Sequence, residues 1–551
     1  MTLPWLHPVH WLCGLALSAA QPALAVTLTA SLDYGTFQGA YNVQYNISFW
    51  QKIPFAAPPL EAAGRFRAPQ PPLPVVGVYN STQPFSACPS RDTGSEDCLY
   101  LGLYSRPWTA GEPLKPVVVN FYGGGFVYGG ASMAMPPSGF PVLNVSGSTD
   151  ILFVHPNYRI NVFGFLSGRE VAADPHSDLN AGLLDQEAAL KWVQRHIANF
   201  GGDPYSVSIW GQSAGAGSVI AQVIGRKHDP PLFKQALASS PYWPKTYTHD
   251  SLEAQALYNT MVNLTGCAAT ATRSSLQCLK TANLSVLQAA NTAVVSSHLY
   301  TTSQYTWAPV IDGVFLAKPL SAVTPADINA DLVWGMHNTR EGDYFMPASL
   351  KDTSSTNSSR SSSSEASFNL WLRGYLPTFS DDDIRALERI YPTRGSAERL
   401  SWSDDDTFTR AGLVYRDSVL ACPAFWLAEL AAADSEGRSN NVKGDSGGGW
   451  VGEYSIPPAN HASDTAWWYL PNQVQQSDLL HYHGFTGAFA SFFQTGDPNA
   501  LKLTNSSVPE VPAFASRRQF VVTPGSFETA AYSALEERCR FWKGMGEKVP
   551  F

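Results

Sequence analysis

A serine between closely spaced glycines is the residue of this sequence best suited to nucleophilic chemistry. Gly211, Ser213 and Gly215 form a Gly-x-Ser-x-Gly motif. The β-branched and aromatic residues Val207 to Trp210 predict a buried strand before it, and the small residues through Ala221 predict a helix after it. Glycines two residues before and after the serine permit the tight strand-to-helix turn of a nucleophile elbow. The alternative is a glycine-rich turn with an incidental serine.

A second glycine run could stabilise the charge that such a nucleophile creates. Tyr122 to Phe126 contains three successive glycines and follows the strand-like run Pro116 to Tyr122. Backbone N–H groups can approach a developing oxyanion closely where side chains are absent. We therefore expect an oxyanion hole made by the N–H groups of Gly124, Gly125 and Ala214.

Several longer motifs occur together with these two, in one order along the chain. They are Ile53 to Pro59, Ser95 to Leu99, Asn157 to Arg159, Gly182 to Gln186, Phe200 to Pro204 and Gly496 to Asn499. With these motifs the chain resembles the type-B carboxylesterase/lipase family of α/β-hydrolases, which includes cholinesterases and secreted fungal carboxylesterases. The resemblance implies an α/β-hydrolase fold, hydrolysis of small-molecule esters, and a triad in the order serine, acid, histidine.

The acid of the triad is expected at Glu341. The segment Asn338 to Gly342 resembles the family segment in which glutamate precedes glycine, and it follows a strand-like run, Asp331 to Met336. Asp343 and Asp331 are the competing carboxylates. A carboxylate just beyond a strand is placed to orient a histidine, so we choose Glu341.

The histidine must come from the three that follow Glu341, which are His461, His481 and His483. His483 precedes a glycine, as in the family's His-Gly dipeptide, but Leu479 to Phe493 predicts a helix that contains both His481 and His483. His461 lies in a loop ahead of that helix, where the family's catalytic loop lies. We therefore expect His461 to be the general base.

Substrate contacts are expected from residues near the elbow. These are Phe126, Trp210, Ser239, Tyr242 and Trp243. The loop between Cys88 and Cys98 encloses only nine residues, whereas the family's lipases and cholinesterases carry a longer loop there. A lid elsewhere, near Asp352, is the open alternative. We favour a carboxylesterase over a lipase, a sterol esterase or a cholinesterase.

Two other function classes compete with an esterase. Gly444 to Gly448 (Gly-Asp-Ser-Gly-Gly) copies the local signature of trypsin-like proteases, but that chemistry needs a histidine and an aspartate upstream on a β fold. Some members of the family are adhesion proteins without a nucleophile. Ser213, an acid and a histidine are all present here, which favours an enzyme.

Composition limits the class of protein further. The chain has 551 residues, 44% of them hydrophobic and 15% charged, and a net charge of −9. We therefore expect no nucleic-acid partner, because phosphate binding needs a basic face. Leu12 to Ala20 is an apolar core followed by the small-x-small site Ala23 to Ala25, so residues 1–25 predict a secretory signal peptide. A signal anchor is the alternative, although the run is too short to span a bilayer and we expect no membrane anchor.

The rest, residues 26–551, is expected to form one catalytic domain, with a mostly parallel sheet covered by helices on both faces. Asp185 to Phe200 predicts one of these helices. Asp352 to Ser367 is rich in serine and Lys443 to Trp450 is rich in glycine, and both are expected to be surface insertions. The strand-like segments are Thr27 to Leu32, Tyr34 to Tyr41, Pro116 to Tyr122, Ile151 to Val154, Val207 to Trp210, Gln235 to Ser239, Asp331 to Met336 and Gln519 to Val522.

Cysteines and sequons agree with secretion. Six cysteines remain after the signal peptide, and six allow fifteen pairings. In an oxidising compartment Cys88 with Cys98 and Cys267 with Cys278 close natural short loops, which leaves Cys422 with Cys539; the family's disulfides have this short-short-long pattern. Their spacings match no common zinc site, and we expect neither a metal nor a cofactor. Glycosylation sequons stand at Asn46, Asn80, Asn144, Asn263, Asn283, Asn357 and Asn505.

Overall fold

A computed structural model describes residues 28–131, 134–147, 150–302, 306–351, 360–404, 406–437 and 447–551. The expected signal peptide, the sequon at Asn357 and most of the protease-like motif, residues 444–446, lie outside these ranges. The structural statements below concern the described residues.

One large sheet organises the chain. Its strand order is β1-β2-β3-β5-β7-β6-β8-β9-β10-β13-β14-β15, with β4 beside β2. From β7 to β14 neighbouring strands are parallel, and the strands at both sides of this block are antiparallel. The strands are β1 Leu28–Leu32, β2 Gly35–Asn42, β3 Ile47–Pro54, β4 Val78–Asn80, β5 Tyr100–Ser105, β6 Lys115–Phe121, β7 Leu152–Pro156, β8 Gly202–Ser213, β9 Gln235–Pro241, β10 Leu332–Asn338, β11 Gly395–Ala397, β12 Leu400–Trp402, β13 Gly449–Tyr454, β14 Arg518–Thr523 and β15 Ser526–Ala531.

Helices connect the parallel strands, and β11 and β12 form a separate hairpin. None of the described helices is long and apolar enough to cross a membrane. The α-helices are α1 Glu61–Gly64, α2 Phe140–Val145, α3 Asn161–Phe165, α4 Arg169–Ala173, α5 Ala181–His196, α6 Ala214–Ile224, α7 Leu252–Leu264, α8 Ser275–Thr281, α9 Leu284–Thr302, α10 Arg360–Tyr375, α11 Asp381–Ile390, α12 Thr407–Arg416, α13 Cys422–Gly437, α14 Thr465–Trp468, α15 Gln473–Ser477, α16 Leu479–His481, α17 Gly487–Thr495 and α18 Ser533–Gly544.

The two faces of the sheet pack against different helices because side chains alternate along each strand. On β8, Ile209 lies in a core cluster with Val219 of α6. The next residue, Trp210, lies in the opposite cluster, where its ring centroid is 5.9 Å from that of Phe489 on α17. The expected α/β architecture with both faces covered is therefore confirmed.

The expected strands are present with shifts at their ends, the largest at β8, which begins at Gly202 rather than Val207. Two other expectations need correction. The helix predicted from Asp185 begins four residues earlier, at Ala181, and ends at His196 before a 3-10 turn. The glycine-rich segment was expected to be a surface insertion. This expectation was wrong for its last two residues, Gly449 and Trp450, which begin β13, a parallel strand inside the sheet.

The glycine content of that segment has a packing cause. A Cβ atom on Gly449 would lie 2.3 Å from the carbonyl oxygen of Ala428, and one on Gly335 would lie 2.3 Å from that of Ala424. Both carbonyls belong to α13, which therefore packs directly on the backbone of β10 and β13. Glycine at these positions marks close approach of a helix, whereas composition alone predicted a loop.

Part of the serine-rich insertion is also regular structure. Residues 352–359 are outside the described ranges, but α10 begins at Arg360 and includes the last residues of the serine-rich stretch. Glu365 in this helix forms a salt bridge with Arg410 of α12, 3.0 Å between Oε2 and Nη1. Composition predicted a surface insertion here because serine is a weak helix former, and the contact with α12 stabilises the helix.

Three disulfides join the six cysteines in the expected pairs. They are Cys88–Cys98, Cys267–Cys278 and Cys422–Cys539. The first two close short loops, and the third links α13 to α18 across a separation of 117 residues.

The close contact between α13 and β13 predicts that Gly449→Ala destabilises the protein. The added methyl group would overlap a backbone carbonyl that cannot move alone, so we expect a loss of about 1–3 kcal/mol. Gly544→Ala is the control, because nothing lies within 4 Å of a Cβ atom there. The midpoint of urea unfolding measures both, and equal midpoints for the two variants would contradict the packing explanation.

Candidate active site

Ser213 lies in a strained turn between β8 and α6. Its backbone has φ 58° and ψ −128°, a conformation that L-residues rarely adopt. A Cβ atom on Gly211 would lie 2.3 Å from the carbonyl of Gly215, and one on Gly215 would lie 2.1 Å from the carbonyl oxygen of Phe121. The two glycines are therefore required by backbone contacts on either side of Ser213, as the sequence motif predicted.

The glycine run after β6 lies against this turn. A Cβ atom on Gly123 would be 3.1 Å from the Cβ atom of Ser213. Gly124 and Gly125 have φ values of 116° and 64°. The carbonyl of Gly124 accepts the N–H groups of residues 127 and 128, at 3.1 and 2.9 Å. Within the described residues no carbonyl accepts the N–H of Gly124 or Gly125, so both donors are available for an oxyanion.

Glu341 and His461 form a hydrogen-bonded pair at the same edge of the sheet. Nδ1 of His461 is 3.1 Å from Oε2 of Glu341, and the Glu341 side chain is fully buried. Because Nδ1–H donates to the carboxylate, Nε2 carries the lone pair that can accept a proton. The arrangement can orient a histidine base and stabilise its protonated form.

Backbone contacts hold the segments that carry this pair. The N–H of Arg340 donates to the carbonyl of Ala459 at 2.9 Å. The side-chain amide of Asn338, the last residue of β10, donates to the carbonyl of Asn460 at 2.8 Å. A Cβ atom on Gly342 would lie 1.8 Å from the carbonyl oxygen of Gly412 on α12. The Glu-Gly dipeptide therefore needs its glycine because α12 packs directly against it.

The competing candidates lie elsewhere. Asp343 pairs with Arg340, 2.8 Å between Oδ2 and Nε, and Asp331 stands before the amino end of β10. His481 is buried, with Nε2 donating to the carbonyl of Thr523 at 2.8 Å. His483 is exposed on the π-helical turn between α16 and α17.

Gln212 is a neighbour of the histidine that sequence reasoning did not identify. Its side-chain nitrogen is 3.3 Å from Nε2 of His461. In the tautomer set by Glu341, this amide donates to the Nε2 lone pair. The structure thus pairs the imidazole with the residue before Ser213, and such bonds in a substrate-free enzyme commonly rearrange when the substrate binds. The sequence signal that could have identified Gln212 is its position in the Gly-x-Ser-x-Gly motif, directly before the serine.

Asp464 is a second buried carboxylate beside the pair, and it was also missed. It accepts hydrogen bonds from the side chains of Asn338 and Trp468, both at 3.2 Å. Burial, and to a smaller extent the nearby charge of Glu341, raise the pKa of Asp464 to about 6. Its position three residues after His461, in the same loop, is the sequence signal that could have found it.

The residues expected to contact substrate are fully buried in two groups. Trp210 donates from Nε1 to Oγ of Ser239 at 3.2 Å. Phe126 and Tyr242 have ring centroids 6.4 Å apart, and Trp243 follows Tyr242 in the core. Substrate contact by these five residues stays a prediction.

A cavity of about 240 Å³ does open beside the candidate site. Gly123 and Gln212 line it on the side of the nucleophile turn, and Tyr122, Trp468 and Tyr469 supply aromatic walls. Sequence reasoning did not select these aromatics, although Trp468 and Tyr469 lie in the aromatic run that follows the histidine loop.

Comparison with known proteins identifies the family of this chain. The sequence profile of the carboxylesterase family matches residues 26–542. The chain belongs to the carboxylesterase family. It is 28% identical over 485 residues to carboxylesterase patB of Penicillium expansum, which covers 84% of this chain and 77% of that protein. Secreted lipase 1 of Botryotinia fuckeliana is 32% identical over 328 residues, with 54% of this chain and 56% of the lipase covered.

A solved structure shows the same fold. EstA of Aspergillus niger superposes with a TM-score of 0.77 at 25% sequence identity, covering 95% of this chain and 99% of that chain. The expected α/β-hydrolase fold is confirmed by this match. With the family and its named carboxylesterases, the chain is a carboxylic ester hydrolase.

The contact between Gln212 and His461 predicts a shifted pH profile for Gln212→Glu. A carboxylate in place of the amide favours the protonated imidazole, which cannot act as a base. We expect the acid limb of kcat/KM to move to higher pH by about one unit. Gln277→Glu, on the exposed side of α8, is the control. An unshifted limb in Gln212→Glu would show that the contact does not exist in solution.

The raised pKa of Asp464 predicts a pH-dependent loss of stability. Its ordinary value is 3.8 and its folded value about 6, so the folded protein holds this proton more tightly than the unfolded chain. The contribution of Asp464 to wild-type stability should therefore fall as pH rises from about 4 to 6, by at most about 3 kcal/mol, and stay lower above that range.

Asp464→Asn removes this titration, so wild-type stability minus variant stability should decrease across the same pH window. Urea unfolding at a series of pH values measures this difference. Any effect of the substitution that does not depend on pH adds the same amount at every pH and leaves the trend unchanged. Asp382→Asn, an exposed residue of α11, is the control. A difference that does not vary with pH would mean that Asp464 titrates as an ordinary carboxyl.

Proposed function

We propose that the protein is a secreted serine carboxylesterase that hydrolyses small carboxylic esters through an acyl-enzyme intermediate. Ser213 is the nucleophile, His461 the general base and Glu341 the orienting acid. The observation that carries the proposal is the Glu341–His461 hydrogen bond of 3.1 Å. His461 also contacts Gln212, the residue before the serine of the elbow turn.

In the proposed reaction, Oγ of Ser213 attacks the ester carbonyl while Nε2 of His461 accepts the hydroxyl proton. The oxyanion that develops is stabilised by the N–H groups of Gly124, Gly125 and Ala214. Ala214 begins α6, whose first N–H groups have no partner within the helix and carry partial positive charge. His461 then protonates the leaving alkoxide, and water attacks the acyl-enzyme by the same route with His461 again as base.

The base is available to Ser213 only after a local exchange. Nε2 of His461 contacts the Gln212 amide, so Ser213 must replace that amide before its proton can be transferred. Ser213 and Gln212 are adjacent residues, and the exchange requires side-chain rotation rather than movement of the strained backbone.

Secretion is supported by the disulfides, by the sequons and by the pattern of the first 25 residues. Three disulfides are typical of an oxidising compartment. Six of the seven sequon asparagines lie in the described ranges, and all six are exposed, as glycosylation requires. Residues 1–25 have the pattern of a signal peptide. The Botryotinia relative is also named as a secreted lipase.

The short first disulfide loop supports a carboxylesterase without an interfacial lid, in preference to a lipase. Cys88 and Cys98 are ten residues apart, which leaves little chain for a mobile cover. The cavity beside Gly123 and Gln212 has about 240 Å³, a volume suited to a small ester. We propose a single catalytic domain over residues 26–551 because the parallel strands that carry the site come from both halves of the chain.

The triad predicts covalent labelling at Ser213 and a graded loss of activity. A fluorophosphonate probe should label wild type and fail to label Ser213→Ala, whose kcat on a soluble p-nitrophenyl ester should fall by about four to six orders of magnitude. Glu341→Gln should lose about a hundredfold to ten-thousandfold, since the histidine loses its orienting charge.

Asp343→Asn is the matched control for the acid, because Asp343 follows Glu341 by two residues and pairs with Arg340 instead. It should keep near wild-type kcat. Absence of labelling in folded wild-type protein would contradict an esterase and favour a binding-only role. Equal losses in the two acid variants would contradict the assignment of Glu341.

A further inference from the structure

A larger cavity lies outside the candidate active site. It has about 360 Å³, within the range of small-molecule sites, and it is bounded by α7, by the segment after β9 and by residues 306–310. Neither Ser213 nor the Glu341–His461 pair lines it, and its apolar walls include Phe165, Leu257 and Trp307.

A buried lysine is the notable polar group of this cavity. The side chain of Lys245 is 8% exposed, and Nζ donates to the carbonyl of Tyr375 and lies 4.6 Å from the centre of the Tyr375 ring. An ammonium group has three N–H donors, and among the described residues this carbonyl is the acceptor found for it. Burial lowers the pKa of Lys245 to about 8, so the group is still mostly charged at neutral pH.

Lys502 shows what a satisfied buried lysine looks like in the same protein. Its exposed fraction is 7%, close to that of Lys245. Its Nζ donates to the carbonyls of Leu503 and Pro509 and to the hydroxyl of Thr504, at 3.2, 2.8 and 3.1 Å. Three donors thus meet three acceptors at Lys502. At Lys245 the described residues supply one, although an unpaired buried charge is costly.

Two neighbouring residues indicate what kind of ligand could accept further hydrogen bonds from Lys245. Thr306 lines the cavity, and its buried hydroxyl has no hydrogen-bond partner among the described residues. Glu253 also lines the cavity but is exposed, and no ion pair within 4 Å joins it to Lys245. An acceptor group bound inside the cavity could therefore pair with both Lys245 and Thr306.

We propose that this cavity is a second binding site, for a small apolar monocarboxylate whose carboxylate pairs with Lys245 and Thr306. The hydrocarbon part of the ligand packs against Phe165, Leu257 and Trp307. A carboxylate suits the site because a hydrogen bond between two charged groups is the strongest that Lys245 can form.

The ligand class has a link to the reaction, and this link rests on the proposed function. Hydrolysis of a carboxylic ester releases an alcohol and a carboxylic acid, and the acid of an apolar ester is a ligand of this kind. The backbone between the two sites is short, because the N–H of Tyr242 donates to the carbonyl of Ser213 at 2.9 Å and Lys245 follows three residues later.

A structural role for Lys245 is the competing explanation. Tyr375 is the last residue of α10, and a lysine at the carboxyl end of a helix stabilises it by bonding a carbonyl that has no partner within the helix. That role requires neither the cavity nor a ligand. It predicts that loss of Lys245 changes stability while the wild-type protein shows no preference for carboxylates.

The experiment is calorimetric titration of the full chain with hexanoate, after Ser213 has been blocked by a fluorophosphonate. Binding should be observed, and 1-hexanol and hexanamide should bind at least about tenfold more weakly because they lack the charge. Lys245→Met should lower hexanoate affinity about tenfold or more. Lys502→Met is the matched control and should keep wild-type affinity, and Glu253→Gln should keep or strengthen it.

Three results would overturn the proposal: no hexanoate binding, equal binding of hexanoate and hexanol, or unchanged affinity in folded Lys245→Met. If that variant does not fold, the wild-type selectivity and a crystal structure with 6-bromohexanoate decide, since bromine density must lie in the cavity. Failure of the proposed function is distinguishable from failure of this proposal. If Ser213 does not react with the fluorophosphonate, the proposed function fails, and the same titrations on the Ser213→Ala variant would still test the Lys245 site.

Discussion

The backbone conformation at Ser213 is the constraint on which the arrangement of the site depends. A residue with φ 58° and ψ −128° persists only where its surroundings enforce that geometry. Here backbone atoms do so from both sides, since Gly211 touches Gly215 and Gly215 touches the carbonyl of Phe121 at the end of β6. The contact that strains the nucleophile turn also joins it to the strand that carries the glycine run. Ser213 and the glycine run that supplies the proposed oxyanion donors are thus positioned by the same backbone contact.

The acid and the histidine depend on the same kind of contact at more distant strands. Glu341 follows β10 and His461 follows β13, and α13 packs on both strands through Gly335 and Gly449. On the far side of the acid, Gly342 touches the backbone of α12. Where a helix meets a strand without a side chain between them, the distance is set by backbone atoms, and rotamer changes cannot alter it. The 3.1 Å bond between Glu341 and His461 therefore rests on rigid supports.

How much of this could be predicted from the sequence depends on whether the residues that interact are close together or far apart in the chain. The Ser213 turn was predictable because its glycines are typical of a tight strand-to-helix turn. Glu341 was predicted from the resemblance of its segment to the family's Glu-Gly segment. Gly449 was misread because its reason, a carbonyl of α13, lies in a segment that only the fold brings near. Asp464 was missed for a similar cause, since its burial depends on Asn338 and Trp468 from separate elements. Residue types can be read directly from the sequence, whereas the burial of a residue depends on which distant segments the fold brings near it.

The charges around His461 show a balance that the residue types alone do not reveal. Two buried carboxylates lie near the imidazole, and both ionised in one site would repel each other strongly. Burial raises the pKa of Asp464 to about 6, and hydrogen bonds from Asn338 and Trp468 stabilise its charge where it is ionised. Residue 212, on the other side of the imidazole, is a neutral amide. Glu341 alone contacts Nδ1, and Nε2 faces a donor that carries no charge. The imidazole can then gain a proton at Nε2 while Nδ1 donates to the Glu341 carboxylate. An acid at residue 212 would add a third carboxylate and favour the protonated form before the substrate arrives.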